Sequence, residues 1–576
     1  MEKKLVFGAL DQGTSSTRFV VMDGGQILGM AQKEHVQHHP EIGWVEHDLE
    51  EVWLACVWCI EQVMSELDKE KYQLSCIGIT NQRETTCVFN TSGTPVCRAI
   101  SWNCTRTESI VRRDHSRIEE MSKKRTGLPI ASYFSATKLA WLREKQNWIF
   151  NDESQILFGT IDTFLLYRLS GKFVTDVTNA SRTLLFNIHT LDWDNDLLNY
   201  WQISRKNLPQ IEASIGGNFG TVLPDAIPCL ANIPIHAVLG DQHAAAFGQC
   251  CFDVSDVKAT LGTGAFILMN TGTQPIPNAS GLLTTILYQI KNQPPIYALE
   301  GAVAVAGTAM QWLRDNLQLA TSATKLAHLA QSTQGDNGGV YFVPAFNGLF
   351  APHWDASARG SIYGLTSYAT KAHLCRAALE AVAFQLDDLL SSFDIRPKLL
   401  KVDGGMTVNA DLLQFCADIM QITVMKPKNL ETTAAGAALA ASLSFFQDNK
   451  KYSLEYIRRS SWQLDQNFLP ALADKARTHL KHKWQEAVAR SRGWEIDILP
   501  TTQRSASSVA SLVLLASEEQ DNAQQYYRKR STSLQHQPRY DHDSFFPFFR
   551  IISVASVLLL ASSILVASGA GRRRGH

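Results

Sequence analysis

The stretch LVFGALDQGTSSTRFVVMDGG, residues 5–25, reads as two apolar strands joined by a tight polar turn. KLVFGALD (4–11) and FVVMD (19–23) are rich in apolar and β-branched residues and run into turn chemistry. Between them DQGTSSTR (11–18) offers backbone N–H groups, the hydroxyls of Thr14, Ser15, Ser16 and Thr17, and Arg18 as a cation. Such a turn suits phosphate oxygens, and Asp11 ahead of Gly13 is placed to hold Mg²⁺ directly or through water. A plain hairpin with Ser and Thr at its corner is the competing reading. GxxxxGK[ST] is absent from this stretch.

The same pattern returns at VKATLGTGAFILMNTG (257–272), again strand, Gly-Thr turn and strand, as in a duplicated nucleotide clamp. A third Gly-rich strand end, VDGGMTVN (402–409), leads into the helical pattern NADLLQFCADIM (409–420). Three anion-friendly turns converging on one cleft would accommodate ATP. LSCIGIT (74–80) reads as another buried strand. Asp48–Asp68 places Leu49, Val52, Trp53, Cys56, Ile60, Val63 and Leu67 at helical spacing behind an Asp48/Glu51 cap. Strands alternating with helices predict an α/β fold.

Two segments carry candidate acceptor chemistry. HAVLGDQHAAAFG (236–248) has the single acid Asp241 at the end of an apolar run, either a helix cap or the carboxylate that phosphoryl transfer to an alcohol requires. ITNQRETTCVF (79–89) ends a strand with Asn81, Gln82, Arg83 and Glu84, donors and acceptors that match a small polyol. Arg83 and Glu84 would otherwise be a surface ion pair, and Trp102 in AISWN is either a site wall or core. Cys56 and Cys59 read as packing residues. His35, His38 and His39 read as a solvated loop.

Composition bounds the remainder. The 576 residues allow three or four domains, and 45% hydrophobic residues supply more than one core. Lys+Arg 54 against Asp+Glu 55 argues against nucleic acid as a partner. Eleven cysteines without regular spacing predict free thiols. The start has no secretory pattern, because Asp11 interrupts a short apolar run. A polar stretch (498–549) with VASLVLLA (509–516) as a short docking helix or irregular segment separates the globular part from IISVASVLLLASSILVASGAG (551–571). That run lacks charge, lies between Arg550 and Arg572–Arg574, and as a helix reaches roughly 31 Å against a hydrocarbon core of about 30 Å. It predicts a transmembrane tail anchor.

Over about residues 5–495 the chain resembles the FGGY carbohydrate kinases, and within them the glycerol kinases. The resemblance rests on DQGTSSTR, TNQRETT (80–86), YFSATKLAWL (133–142), GDQHAA (240–245), GTGAF (262–266), VPAFNGLFAPHWDASARG (343–360), GSIYGLTSYATKAHLCRAALEAVAFQ (360–385), DGGMTVN (403–409) and ETTAAGAA (431–438), in order. It implies two actin-like, ribonuclease-H-like α/β domains, 1–248 and 249–497, with ATP and glycerol between them. Arg83, Glu84, Trp102, Tyr133, Asp241, Gln242 and Phe266 would surround glycerol. Thr14, Ser15, Ser16, Arg18, Thr263, Gly307, Gln311, Gly405 and Asn409 would hold the nucleotide, Asp11 would place Mg²⁺, and Asp241 would be the general base. Cys104, Thr105 and His243 depart from the family pattern, as do Ser15 and Thr17. Another polyol or sugar as acceptor, and a membrane-held scaffold without catalysis, are the alternatives. The resemblance also implies a homo-oligomer. The tail is similar to those of animal relatives at the mitochondrial outer membrane, with the catalytic part facing the cytosol and a porin as neighbour; a cytoplasmic pool is the other expectation.

Overall fold

A strand buried on both faces has to be apolar almost throughout, and β1 (Lys4–Gln12) is buried from Val6 to its end. In the computed structural model, which describes residues 3–494 except 151, 278–280, 347, 356 and 450, β1 is the middle strand of the first sheet. β2 (Ser16–Asp23) pairs antiparallel with it, and β3 (Gln26–Glu34) antiparallel with β2. After helix α1 (Leu49–Glu66), β4 (Tyr72–Asn81) joins β1 in parallel, and β5 (Ile235–Gly240) joins β4 in parallel. Asp48 caps α1 through the N–H groups of Glu50 and Glu51, and the predicted stripe from Leu49 to Val63 is buried, with Cys56 and Cys59 inside it.

The second sheet repeats this plan. Helix α2 (Asp241–Gly248) leads to β6 (Val257–Leu261) and β7 (Ala265–Gly272), followed by β8 (Leu283–Tyr288) and β9 (Ile296–Val303). Helices α3 (Gly307–Asp315) and α4 (Lys371–Leu390) precede β10 (Leu399–Asp403), α5 (Ala410–Met420), β11 (Thr423–Pro427), α6 (Thr432–Phe445), β12 (Leu464–Phe468) and α7 (Asp474–Ser491). The strand order is β8-β9-β7-β6-β10-β11-β12. Its inner five strands match the first sheet one for one: β6/β7 antiparallel, β7/β9 antiparallel, then β10 and β11 parallel on the other side of β6. The echo between residues 5–25 and 257–272 is therefore a duplicated sheet, as its α/β pattern predicts.

Two helices cross where the halves meet. α6 follows a strand of the second sheet but packs on β1, β4 and β5 of the first and against α2. The crossing needs glycine: a Cβ on Gly436 would stand 1.8 Å from Ala244 O, and one on Gly248 2.1 Å from Thr432 O. Backbone contact this close leaves no space for a side chain.

All eleven cysteines are free thiols. Among the described residues no helix is long and apolar enough to cross a membrane. The polar stretch 498–549, VASLVLLA and the expected span 551–571 lie outside the described residues. One sequence expectation is corrected: His35 is 8% exposed and lies under the 11–18 turn, whereas His39 is solvated and His38 half-buried. Its ring meets His47 edge to face at 5.4 Å, so the loop folds back on itself.

Candidate active site cleft

The β1–β2 turn is held from below. Gly13 N–H donates to Ser16 O at 2.9 Å, and Gly13 O accepts from the side chains of Gln12 (2.7 Å) and Gln82 (3.2 Å), with His35 Nε2 at 3.3 Å. With its carbonyl fixed, the turn presents Thr14 and Ser15 to the cleft, while Ser16 is buried in β2. Arg18 stands beside Asp11, Nη1 to Oδ2 3.6 Å, and beside Glu431 at 3.5 Å. Asp11 is 4% exposed. Burial pushes its carboxyl up to about 7; Arg18 opposes the shift, and Asp241 and Glu431 add to it.

At the end of β4, Arg83 and Glu84 are 3% and 1% exposed, so they form no surface pair. The Arg83 guanidinium takes Glu300 of β9 in a two-pronged bond, Nη1 to Oε2 2.5 Å and Nη2 to Oε1 2.9 Å. Arg182 donates to Glu84 Oε1 at 2.6 Å and to Glu300 Oε1 at 3.1 Å. The four side chains close a buried ring of alternating charge. Glu84 has φ 59°, a left-handed conformation costing on the order of 1–3 kcal/mol for such a residue. Its carbonyl is secured by Ser135 Oγ (3.1 Å) and by buried Lys138 Nζ (2.9 Å). Arg182, Glu300 and Lys138 are absent from the sequence reading. The signal available for Glu300 was a lone acid inside the apolar strand IYALEGAV.

Asp241 is the first residue of α2; Gly240 takes the cap position. Its Oδ1 accepts from Gln242 N–H at 2.6 Å and lies 3.2 Å from Arg83 Nε. Burial raises its carboxyl above the usual range, with Arg83, the Gln242 N–H and Lys258 opposing. Trp102 closes one side, its ring 5.4 Å from that of Tyr133 and 6.2 Å from that of Phe266. The Trp102 indole N–H also donates to Thr14 Oγ1 at 2.9 Å, so the aromatic wall is tied to the anion turn. Beside it, Cys104 is buried and accepts from Arg106, whereas Thr105 points to solvent and bonds Gly43 O.

These groups share one cavity of about 1620 Å³ between the two sheets. Arg83, Glu84, Trp102, Tyr133, Asp241, Gln242 and Phe266 all line it, with Thr14, Ser15 and Thr263. The other expected nucleotide residues are outside this lining. Gly307 N–H bonds Gly262 O at 3.0 Å, which seats the start of α3 on the β6–β7 turn. Gln311 is exposed on α3, and Gly405 opens the short helix after β10. Asn409 spends its side-chain oxygen on Leu412 N–H as the cap of α5. Among the described residues no group of three His, Cys, Asp or Glu side chains could hold a metal ion by itself.

Comparison with known proteins gives a consistent picture. The family model described as the N-terminal domain of the FGGY family of carbohydrate kinases matches residues 6–248, and that of the C-terminal domain matches 257–445. A glycerol kinase of Corynebacterium kroppenstedtii is 46% identical over 517 residues, covering 86% of this chain and 99% of that one. The crystal structure of Plasmodium falciparum glycerol kinase with ADP superposes with a TM-score of 0.78 at 36% identity, covering 85% of this chain and 98% of that one. A gluconate kinase from Lactobacillus acidophilus shares the fold at a TM-score of 0.75 and 23% identity, covering 84% and 97% of the two chains.

The ring makes a stability prediction. Glu300→Leu leaves two buried guanidinium groups short of a partner and is expected to cost about 3–5 kcal/mol in urea unfolding. Glu455→Gln, which weakens only the exposed pairs with Arg458 and Arg459, is expected to change stability by less than about 0.5 kcal/mol. Equal effects of the two substitutions would contradict this account of the ring.

Proposed function

The chain belongs to the FGGY family of carbohydrate kinases, and on that premise we propose how its cleft works as a glycerol kinase. The enzyme transfers the γ-phosphoryl group of ATP to glycerol, giving sn-glycerol 3-phosphate and ADP. One observation carries the reading: a raised carboxyl, Asp241, stands 3.2 Å from the guanidinium of a buried Arg-Glu pair inside an aromatic-walled cleft. That is the equipment for holding a small polyol and removing one of its protons.

Arg83 and Glu84 offer a donor and an acceptor to vicinal hydroxyls, and their buried partners keep both from turning away. Trp102 and Phe266 cover the carbon chain. Asp241 takes the proton of the terminal hydroxyl as its oxygen forms the bond to γ-phosphorus and the bond to the β,γ-bridging oxygen breaks. A carboxyl raised by burial accepts that proton more readily than a solvated aspartate. Arg83 on the same carboxylate opposes that rise and favours the ionised form. Thr14 and Ser15, on a turn whose carbonyl is fixed from beneath, meet the phosphates, while Thr263 and the Gly307 end of α3 face them from the second sheet.

Asp241→Asn is expected to lower kcat by about 10²–10⁴-fold with little change in ATP binding. In the parent enzyme kcat should rise with pH through an apparent pKa above that of a free aspartate. Glycerol-dependent ADP formation against a panel of polyols and sugars measures both. A preference for another acceptor, or an Asn variant with unchanged kcat, would contradict the assignment.

Mg²⁺ suits the Asp11 end of the cleft. Asp11, Asp241 and Glu431 are three carboxylates set against Arg18 and Arg83, and such oxygens together with phosphate oxygens are the donors Mg²⁺ prefers. When bound, the ion would neutralise phosphate charge. Because the cation needs the ionised form, Mg²⁺ affinity should fall as pH drops through about 7. Asp11→Asn should weaken Mg²⁺ dependence and flatten that pH response; an unchanged profile would remove Asp11 from the metal site.

The tail is a separate part of the proposal, supported by the sequence of 551–571. We infer a membrane anchor there, with basic flanks that favour the mitochondrial outer membrane and the catalytic lobes on the cytosolic side. The full chain should stay in the pellet through alkaline carbonate extraction, and deletion of 551–576 should release it. A full chain that extracts would refute the anchor.

A further inference from the structure

The catalytic reading leaves the buried cation Lys258 unused. Lys258 on β6 is 0% exposed, and its ammonium donates to Gln242 Oε1 at 2.5 Å and to Thr260 Oγ1 at 2.8 Å. The Thr260 hydroxyl donates in turn to Asp403 Oδ1 at 2.5 Å. Asp403 also accepts from Thr432 at the start of α6 (2.7 Å) and from Gln249 just beyond α2 (2.9 Å). The line therefore runs from the residue beside Asp241, through the strand pair β6/β10, to both crossing helices.

Asp403 is also the last residue of β10, directly before the Gly404-Gly405 turn. Gly404 has φ 90°, and a Cβ there would lie 2.6 Å from Leu261 O, so this turn rests directly on the end of the strand that bears Lys258 and Thr260. A shift of either strand end displaces the other. The polarity of the line is fixed as well: an ammonium only donates, a carboxylate only accepts, and Thr260 does both with one hydroxyl. A buried ammonium is costly beside an apolar side chain of similar volume, so its presence marks a link rather than packing.

Resting on the kinase reading, we propose that Lys258 is a positioning residue through which the Gly-rich nucleotide turn after β10 and the acceptor amide of Gln242 sense each other. Nucleotide seated on the turn would fix Asp403, and through Thr260 and Lys258 would hold Gln242 in its glycerol-binding orientation. The coupling is reciprocal, as linkage requires.

Calorimetric titration of glycerol into the full chain, with and without saturating ADP, tests this. In the parent chain ADP should tighten glycerol binding at least about fivefold. Lys258→Met should weaken glycerol binding about tenfold, leave ADP affinity within about twofold and remove the ADP effect. Thr260→Val is isosteric and leaves Lys258 on Gln242, so it keeps the test open if the Met variant does not fold. It should remove the ADP effect with glycerol affinity alone within about threefold of the parent. Combined with Gln242→Ala, Lys258→Met should add nothing further to the loss of glycerol binding. An ADP effect that survives either variant overturns the proposal, as does equal weakening of ADP and glycerol, the mark of a general structural defect. A parent chain that turns over glycerol without any ADP effect overturns this proposal alone. A parent chain with no glycerol-dependent ADP formation overturns the kinase reading and this proposal with it.

Discussion

Two buried arginines and two buried glutamates form the constraint around which the cleft is arranged. Arg83 and Glu84 come from the first sheet, Arg182 from the segment leading to β5, and Glu300 from β9 of the second sheet. Taking each charge out of water costs several kcal/mol, and the interior repays it only where geometry is good and lone pairs are filled. Here the two-pronged Arg83–Glu300 bond and the Arg182 bridge meet that condition. The ring thus makes each half a condition for the other: neither sheet alone can bury its charges.

The same ring sets the chemistry above it. Arg83 faces Asp241 with its Nε while its two terminal nitrogens are anchored on Glu300, so the Asp241 carboxylate feels a cation that cannot swing away. Desolvation raises the Asp241 carboxyl and Arg83 restrains the rise. Glu84 shows a related economy. Its left-handed backbone is tolerated because Ser135 and Lys138 hold its carbonyl, and Lys138 is itself pushed down to about 7 by burial.

Much of this was legible before any coordinates. The three Gly-rich turns, the helix behind Asp48 and the repeat at 257–272 are local patterns, and local patterns are what period and turn chemistry report. So were Arg83, Glu84 and Asp241 as neighbours in one cleft. Glu300 and Arg182 were not legible: each lies 98 or more residues from its ring partners, and only the fold joins them. His35 misled for a related reason. A histidine among polar neighbours before a proline reads as solvated, and nothing local records that the loop doubles back under Gly13. Asn409, expected at the nucleotide, has its side-chain oxygen on Leu412 N–H, a helix-cap role that its place just ahead of α5 also fits.

The α2–α6 crossing has a consequence for how the chain is made. The face of the first sheet that carries β1, β4 and β5 is covered by α6, and α6 begins at Thr432. During synthesis that face emerges early and stays without its cover for almost two hundred residues after β5 is complete. The amino-terminal half is therefore no independent module of translation. Its sheet is sealed only once the carboxy-terminal half has delivered a helix with glycine at the one turn where a methyl group would collide with Ala244.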